Sequence, residues 1–328
     1  MDPIVEHLAD GIARGQLRSL AKAITLVESK LPEHNQLAGQ LLEKLLPFTG
    51  NALRIGITGV PGVGKSTFIE AFGLHLIERG HKVAVLAVDP SSQITGGSIL
   101  GDKTRMELLS RETNAYIRPS PAGETLGGVA RKTREAMLIC EAYGFDVVLV
   151  ETVGVGQSEV TVAQMVDFFL LLQLPNAGDE LQGIKKGVME LADGIIINKA
   201  DGDNQPKAQL ARAQIVNALH ILSPRSPNWQ VPVLLASGLA KQGIDAVWDM
   251  LGKYRSAMME SGEFQEKRSC QVVDWMWSML MDEVKDMFVQ NRNVASLLPG
   301  LREAVHHGVT TPGMAVKRLI EAYRRPLL

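Results

Sequence analysis

Leu53-Arg54-Ile55-Gly56-Ile57-Thr58-Gly59-Val60-Pro61-Gly62-Val63-Gly64-Lys65-Ser66-Thr67 is the stretch on which the fold of this chain turns. It opens as a run of buried-strand residues, Leu53–Thr58, breaks into glycines, and continues through Phe68–Arg79 as a helix. The glycine segment fits G-x-x-x-x-G-K-[ST], and strand before, helix after is the context that pattern needs to hold phosphate. Gly59, Gly62 and Gly64, with Pro61 and Val63 between them, let the loop turn its backbone N–H groups inward, where a phosphate chain replaces water. The helix N-terminus adds the positive end of its dipole. Lys65 is placed to reach the β- and γ-phosphates and the Ser66 hydroxyl to ligate Mg²⁺, with Thr67 following directly as a further loop-end candidate. A ligand-free glycine turn is the bland alternative, and the strand–loop–helix context weighs against it.

Working outward, aliphatic runs alternate with helix-like segments up to about Leu251. The runs are Leu53–Thr58, Lys82–Val88, Val147–Val150, Phe168–Leu172, Gly194–Asn198 and Val231–Leu235. Continuous aliphatic strands separated by helices predict an α/β fold, a mainly parallel sheet flanked by helices on both faces. Residues 1–46 carry apolar spacing for two or three short helices, and Pro47–Asn51 breaks that pattern as a linker. Beyond Gly262 the chain turns helical again. The expected organisation is an N-terminal helical extension over 1–50, a P-loop domain over 51–262 and a C-terminal helical arm over 263–328. Core packing is the default for the Met- and Trp-rich arm. Between Phe264 and Val289, however, Trp275, Met276, Trp277, Met279, Met281 and Met287 occupy more than one helix face, which predicts a homodimer contact.

Composition narrows the function. The 328 residues carry 34 Lys+Arg against 36 Asp+Glu, a formal charge of 34 − 36 = −2, which disfavours a nucleic-acid scaffold. With 45% hydrophobic and 21% charged residues, the composition argues against extended disorder. Cys140 and Cys270 cannot make a disulfide framework, which suits a reducing compartment. The charge-free stretch Ser226–Ala240 contains two prolines and is too short to span a membrane. The N-terminal MDPIVEHLADGIARG lacks the features of a signal or transit peptide, so the expected location is cytoplasmic.

A second motif, Asn198-Lys199-Ala200-Asp201, closes the aliphatic strand that ends in Ile195–Ile197. A carboxylate there accepts from guanine N1–H and N2–H₂ together, and adenine would leave it unpaired. Lys199 would lay its stem along the base and Asn198 would brace the phosphate loop. Downstream of a phosphate loop, N-K-x-D points to GTP. The strand Val231–Leu235 leads into Ala236-Ser237-Gly238, where backbone N–H groups could meet guanine O6; a Ser-Gly turn into the next helix reads equally well locally.

Carboxylates follow at two further strand ends. Asp146–Val155 delivers Glu151 beside the phosphate loop, where Mg²⁺ would sit; the alternative is an acidic residue that merely ends a strand. Here Glu151-Thr152-Val153-Gly154 replaces the D-x-x-G of Ras-like proteins, and Gly154 and Gly156 would let a switch segment move. Asp89 ends the second strand, and Asp102 lies in the Gly-rich loop Gly96–Met106; both could approach the metal and γ-phosphate. Gln157 is the candidate for positioning the attacking water. Gln173–Gly187 reads either as a solvated loop or as a mobile partner-sensing one.

DPSS…TGGSILGDKTRM, NAYIRPSP, TLGG, ETVGVGQSE, AGDELQGIKKG and NKAD, in this order, resemble the MeaB-type methylmalonyl-CoA mutase-associated G proteins. These are P-loop GTPases of the SIMIBI class, some carrying an older ArgK-type transport kinase or ATPase label. The resemblance covers Leu53–Leu251, and helical additions at both ends suit it. It implies a cytoplasmic, homodimeric GTP-hydrolysing chaperone that binds an adenosylcobalamin-dependent acyl-CoA mutase, gates cofactor loading, and protects or reactivates the enzyme. It carries the magnesium neighbourhood to Ser66, Asp89, Asp102 and Glu151, a third, mutase-signalling switch to Gln173–Gly187 with Lys185, and dimerisation to the C-terminal arm. One departure is Ser237-Gly238, where the family pattern is Ser-Ala. The N-K-x-D argues against ATP.

The sequence leaves two other readings. A nickel or cobalt metallochaperone GTPase needs soft or imidazole ligands near the switches, and the seven histidines form no such tract with the cysteines. A nucleotide-gated scaffold with negligible catalysis would bind a partner without partner-dependent hydrolysis.

Overall fold

The computed structural model describes residues 2–88, 106–119, 126–152, 158–175, 186–221 and 225–325. Seven parallel strands form one sheet in the order β3-β2-β4-β1-β5-β6-β7: β1 Leu53–Gly59, β2 Val83–Val88, β3 Ala115–Arg118, β4 Val147–Thr152, β5 Phe168–Gln173, β6 Gly194–Ile197 and β7 Val233–Leu235. Central β1 lies between β4 and β5, so its carboxyl end is a place where the chain order switches direction, and crevices at such ends hold ligands.

The sheet follows the aliphatic runs because strands buried on both faces read as continuous apolar sequence. Side chains alternate between two cores. Val148, Val150, Phe169 and Ala84 face one; Ile55, Ile57, Leu149 and Phe168 face the other. The strand the sequence reading missed is β3, Ala-Tyr-Ile-Arg. As a short edge strand it buries Ile117 and leaves the other three half-exposed, so it lacks an aliphatic run. A second difference is the start of β7 at Val233 instead of Val231, since Pro232 has no N–H to offer a ladder and contributes its carbonyl to Ile195 N at 3.0 Å.

Two compact units divide the described chain, Met1–Ser269 and Cys270–Leu328. In the first, helices α1 Pro3–Ala13, α2 Leu17–Glu28 and α3 Pro32–Leu45 share one core with α6 Leu126–Tyr143, α5 being the short Glu107–Ser110. Asp2 caps α1 through Ile4 N at 2.8 Å, and the Pro47 break is a 3₁₀ turn over Leu46–Phe48. Helix α4, Lys65–Glu78, covers the opposite face, packed by Phe68, Ile69, Phe72 and Leu76. Four more helices are α7 Ser158–Ala163, α8 Lys186–Leu191, α9 Gln205–Leu219 and α10 Ile244–Glu260.

Helix α11, Glu263–Gln290, starts in the first unit. Its first turns are fixed at the amino edge of the sheet. Arg268 donates to Asp167 through Nε at 2.7 Å and Nη2 at 2.6 Å, and to the carbonyl of Ala52 at 2.6 Å. Lys267 donates to the carbonyl of Asp167 at 2.6 Å and to Asp193 at 3.2 Å. Asp167 and Asp193 in turn accept from the backbone N–H groups of Arg54 and Phe169, and Glu141 holds the Arg54 guanidinium at 2.5 Å. Burial, with Asp193 and Asp167 nearby, pushes the Tyr254 hydroxyl well above its ordinary pKa.

In the second unit, α12 Arg292–His306 is capped by Asn291, α13 Pro312–Tyr323 by Thr311, and Phe288 stacks on Tyr323 at 5.1 Å. Along α11, Val273, Met276, Trp277, Leu280, Met281, Val284 and Met287 are exposed in the single chain. No helix of the described residues is long and apolar enough to cross a membrane.

Candidate nucleotide site

The carboxyl ends of β1, β4, β6 and β7 bring together most of the described candidate residues. Gly59 leaves β1 where a Cβ would lie 2.6 Å from the carbonyl oxygen of Leu172 on β5, so no side chain is tolerated at this turn. Gly62 and Gly64 have φ of +80° and +91°, the left-handed region open to glycine. Val63, fully buried, pins the loop between them to the core below, while Pro61 and Gly62 stay exposed. Gly64 caps α4, so Lys65, Ser66 and Thr67 form the helix's first turn with its N–H groups pointing toward the loop. The Lys65 ammonium donates to the carbonyls of Gly59 at 2.8 Å and Val60 at 3.4 Å, curled back over its own loop.

Glu151 stands near the end of β4, opposite Ile57 of β1, and its Oε1 accepts from Ser66 Oγ at 3.2 Å. Two hard oxygen donors thus converge from a strand end and a helix start. That donor set fits Mg²⁺, which takes one or two protein oxygens and completes its shell with water and phosphate. Among the described residues no group of three or more His, Cys, Asp or Glu side chains could hold a metal ion. Asp89, Asp102, Gln157 and Lys185 lie outside the described residues, as does most of Gln173–Gly187.

At the other end of the site, Asn198 is 2% exposed and works in two directions. Its Nδ2 donates to the carbonyl of Val63 at 2.9 Å, and its Oδ1 accepts from Gly238 N at 3.2 Å. One side chain therefore ties the phosphate loop to the Ala236-Ser237-Gly238 loop. Lys199, in the left-handed region at φ +56°, sends its ammonium to the carbonyl of Gly62 at 2.8 Å. Its stem runs past Gly64, where a Cβ would come within 3.6 Å of Lys199 Cε. Asp201, half-buried, opens the short 3₁₀ turn Gly202–Asn204.

The departure from Ser-Ala has a structural reason. A Cβ on Gly238 would lie 2.9 Å from both N and Cα of Phe68, so the loop packs on α4 more closely than alanine permits. The backbone N–H groups expected to face a base already have partners. Ala236 N donates to Ile197 O at 3.0 Å, Ser237 N to Gln242 O at 3.0 Å, and Gly238 N to Asn198. The bond from Gly238 is the longest of the three, so it is the one most readily exchanged for a ligand.

A phosphate loop, paired oxygens beside it and a buried Asn joining it to an N-K-x-D strand end are the parts of a guanine-nucleotide site. The family model for the "Methylmalonyl Co-A mutase-associated GTPase MeaB" matches residues 20–293. The chain belongs to the MeaB family. A "Putative GTPase" of Caulobacter vibrioides is 56% identical over 97% of this chain and 98% of its own length. The "GTPase ArgK" of Escherichia coli is 50% identical over 96% of each. A solved structure described as a "LAO/AO transport system kinase" superposes with a TM-score of 0.79 at 41% identity, covering 99% of both chains. MeaB-family membership makes this chain a P-loop GTPase, associated by family with methylmalonyl-CoA mutase.

The sequence reading passed over two residues that the fold brings to the rim of this site, Thr58 and Thr152. Each is β-branched within an aliphatic run and reads as strand filler, so the partner hydroxyl was the missing signal.

Proposed function

We propose that the protein is a GTP-hydrolysing chaperone of an adenosylcobalamin-dependent methylmalonyl-CoA-type mutase, gating cofactor loading and protecting or reactivating the enzyme. The observation that carries the GTP half is the double hydrogen bond of Asn198, which couples the reading of the base to the position of the phosphate loop. The family carries the mutase half.

In this reading the N–H groups of the loop and of the first turn of α4 hold the phosphates, and Lys65 exchanges the carbonyls of Gly59 and Val60 for phosphate oxygens. Ser66 and Glu151, with Asp89 and Asp102, would hold Mg²⁺, which when bound neutralises charge on the phosphate oxygens. Asp201 accepts from the guanine edge, Lys199 lies along the base, and Gln157 orients the attacking water. Gln173–Gly187, with Lys185, is the mutase-sensing segment.

We assign residues 1–50, 51–262 and 263–328 to a helical extension, the GTPase domain and a dimerisation arm. The exposed row Val273, Trp277, Leu280, Val284 and Met287 is spaced alternately by four and three residues, the pattern of a helix seam that a second copy would cover. The two free cysteines suit a cytoplasmic setting.

The test is single-turnover hydrolysis of GTP with and without purified methylmalonyl-CoA mutase. The expected result is slow intrinsic turnover that the mutase accelerates, with no corresponding use of ATP. An unchanged rate in the presence of mutase would overturn the chaperone reading and leave a nucleotide-gated scaffold.

A further inference from the structure

We propose that Thr58 and Thr152 form a positioning pair, a hydroxyl clip on the back of the sheet that holds the metal carboxylate in front of the phosphate-loop helix. The inference rests on the magnesium and nucleotide assignment above and goes beyond it by naming what sets the Ser66–Glu151 spacing.

The backbone pairing of β1 with β4 runs from Leu53↔Val147 to Ile57↔Glu151 and stops there. Past that point the two strands have different neighbours. Thr58 and Gly59 of β1 pair with Leu171 and Leu172 of β5, and Thr152 of β4 pairs with Val88 of β2. The sheet would be free to splay at this edge. Instead, Thr152 Oγ1 donates to Thr58 Oγ1 at 2.7 Å, with both side chains 1% exposed. A side-chain bond takes over one residue after the backbone bonds end.

Strand alternation explains why this matters for the site. Neighbouring residues of a strand point to opposite faces, so Thr152 and Glu151 cannot share a face. Glu151 faces α4 and meets Ser66, while Thr58 and Thr152 face the other core, the side where Gly56 packs on Val162 of α7. Thr58 immediately precedes Gly59, the first residue of the phosphate loop, and Thr152 immediately follows Glu151. Fixing the two hydroxyls therefore fixes the distance between the two strand ends from which loop and carboxylate depart. Each hydroxyl is buried, so losing one partner leaves the other unsatisfied and gives the edge a reason to open.

The test uses Thr152→Val, which keeps shape and β-branching, and Thr152→Ser, which keeps the hydroxyl. GDP binding is measured at equilibrium with Mg²⁺ and with EDTA, for wild type and both variants. The expected result is that Thr152→Val loses about 5- to 10-fold of the Mg²⁺-dependent gain in affinity, retains its affinity in EDTA, and is rescued by Thr152→Ser. Thr58→Val should reproduce the loss, and the double variant should lose no more than either single one. Equal weakening with and without Mg²⁺ would mean a merely structural role and would overturn the proposal, as would a Thr152→Val variant with wild-type Mg²⁺ dependence. If wild type itself shows no Mg²⁺-dependent binding, the fault lies in the magnesium assignment, a result distinguishable from failure of the clip.

Discussion

The two edges of the sheet use charge in opposite ways. At the amino edge Asp167, Asp193 and Glu141 are buried and surrounded by donors from Arg54, Lys267, Arg268 and backbone N–H groups. At the carboxyl edge Lys65 and Lys199 both bond carbonyls of the phosphate loop, and Glu151 accepts from a serine hydroxyl. The first arrangement pairs each charge with fixed opposite charge or dipoles, so it makes a rigid foundation for β1, β5 and β6 and for the start of α11. In the second, loop carbonyls and a serine hydroxyl are among the partners, and a nucleotide can replace these neutral groups. A buried ionic group is stable only when fully satisfied, whereas a binding site must keep its groups exchangeable.

Breaking the foundation should have the largest effect. Asp167→Ala removes the carboxylate partner of the Arg268 guanidinium and of the Arg54 N–H together, so a stability loss of about 3–5 kcal/mol is expected in denaturant unfolding, with nucleotide affinity per folded molecule little changed. Lys65→Ala should behave in the opposite manner. GTP hydrolysis falls by about 100- to 1000-fold, while the melting temperature stays within a few degrees because Lys65 sits at a partly exposed site and not in the core. If Lys65→Ala unfolds the protein, the contrast between the two edges is wrong.

Asp201→Asn sharpens the reading of the base. An amide can donate to the O2 of xanthine, where the carboxylate accepts from the N2–H₂ of guanine, so preference should shift from GTP toward XTP by about 100-fold or more in competition binding. Gly238→Ala is expected to be the mildest. Its Cβ would meet the Phe68 backbone at 2.9 Å, and the cost should be about 1–3 kcal/mol of stability with a modest loss of nucleotide affinity through displacement of Asn198. An alanine accepted at no cost would show that the loop has room and that the Ser-Gly departure carries no packing consequence.

Much of this was legible along the chain because it is local. Phosphate-loop glycines are needed where backbone must turn through positive φ, and that requirement shows in the residue types Gly62 and Gly64 themselves. Aliphatic runs declared six of the seven strands, since a strand covered on both faces has no polar face to hide it. β3 escaped because an edge strand of four residues with one buried side chain carries no such run. The Met- and Trp-rich arm predicted a homodimer contact from residue types alone, and the structure adds that a row of its apolar side chains along α11 is exposed.

Pairing between distant residues is where sequence reading stops. Residue types alone suffice for a parallel α/β sheet, a phosphate loop at the end of β1 and a guanine-type motif at the end of β6, because each follows from a short segment's own conformational and hydrogen-bonding needs. That Asn198 also holds Gly238, that Arg268 reaches the start of β5, and that Thr152 meets Thr58 depend on strand order and register. Those bonds join residues 40, 101 and 94 positions apart, and no local preference of any of these residue types specifies the partner. Tertiary structure decides them, because a buried polar group accepts whatever complementary atom the folded chain brings within reach.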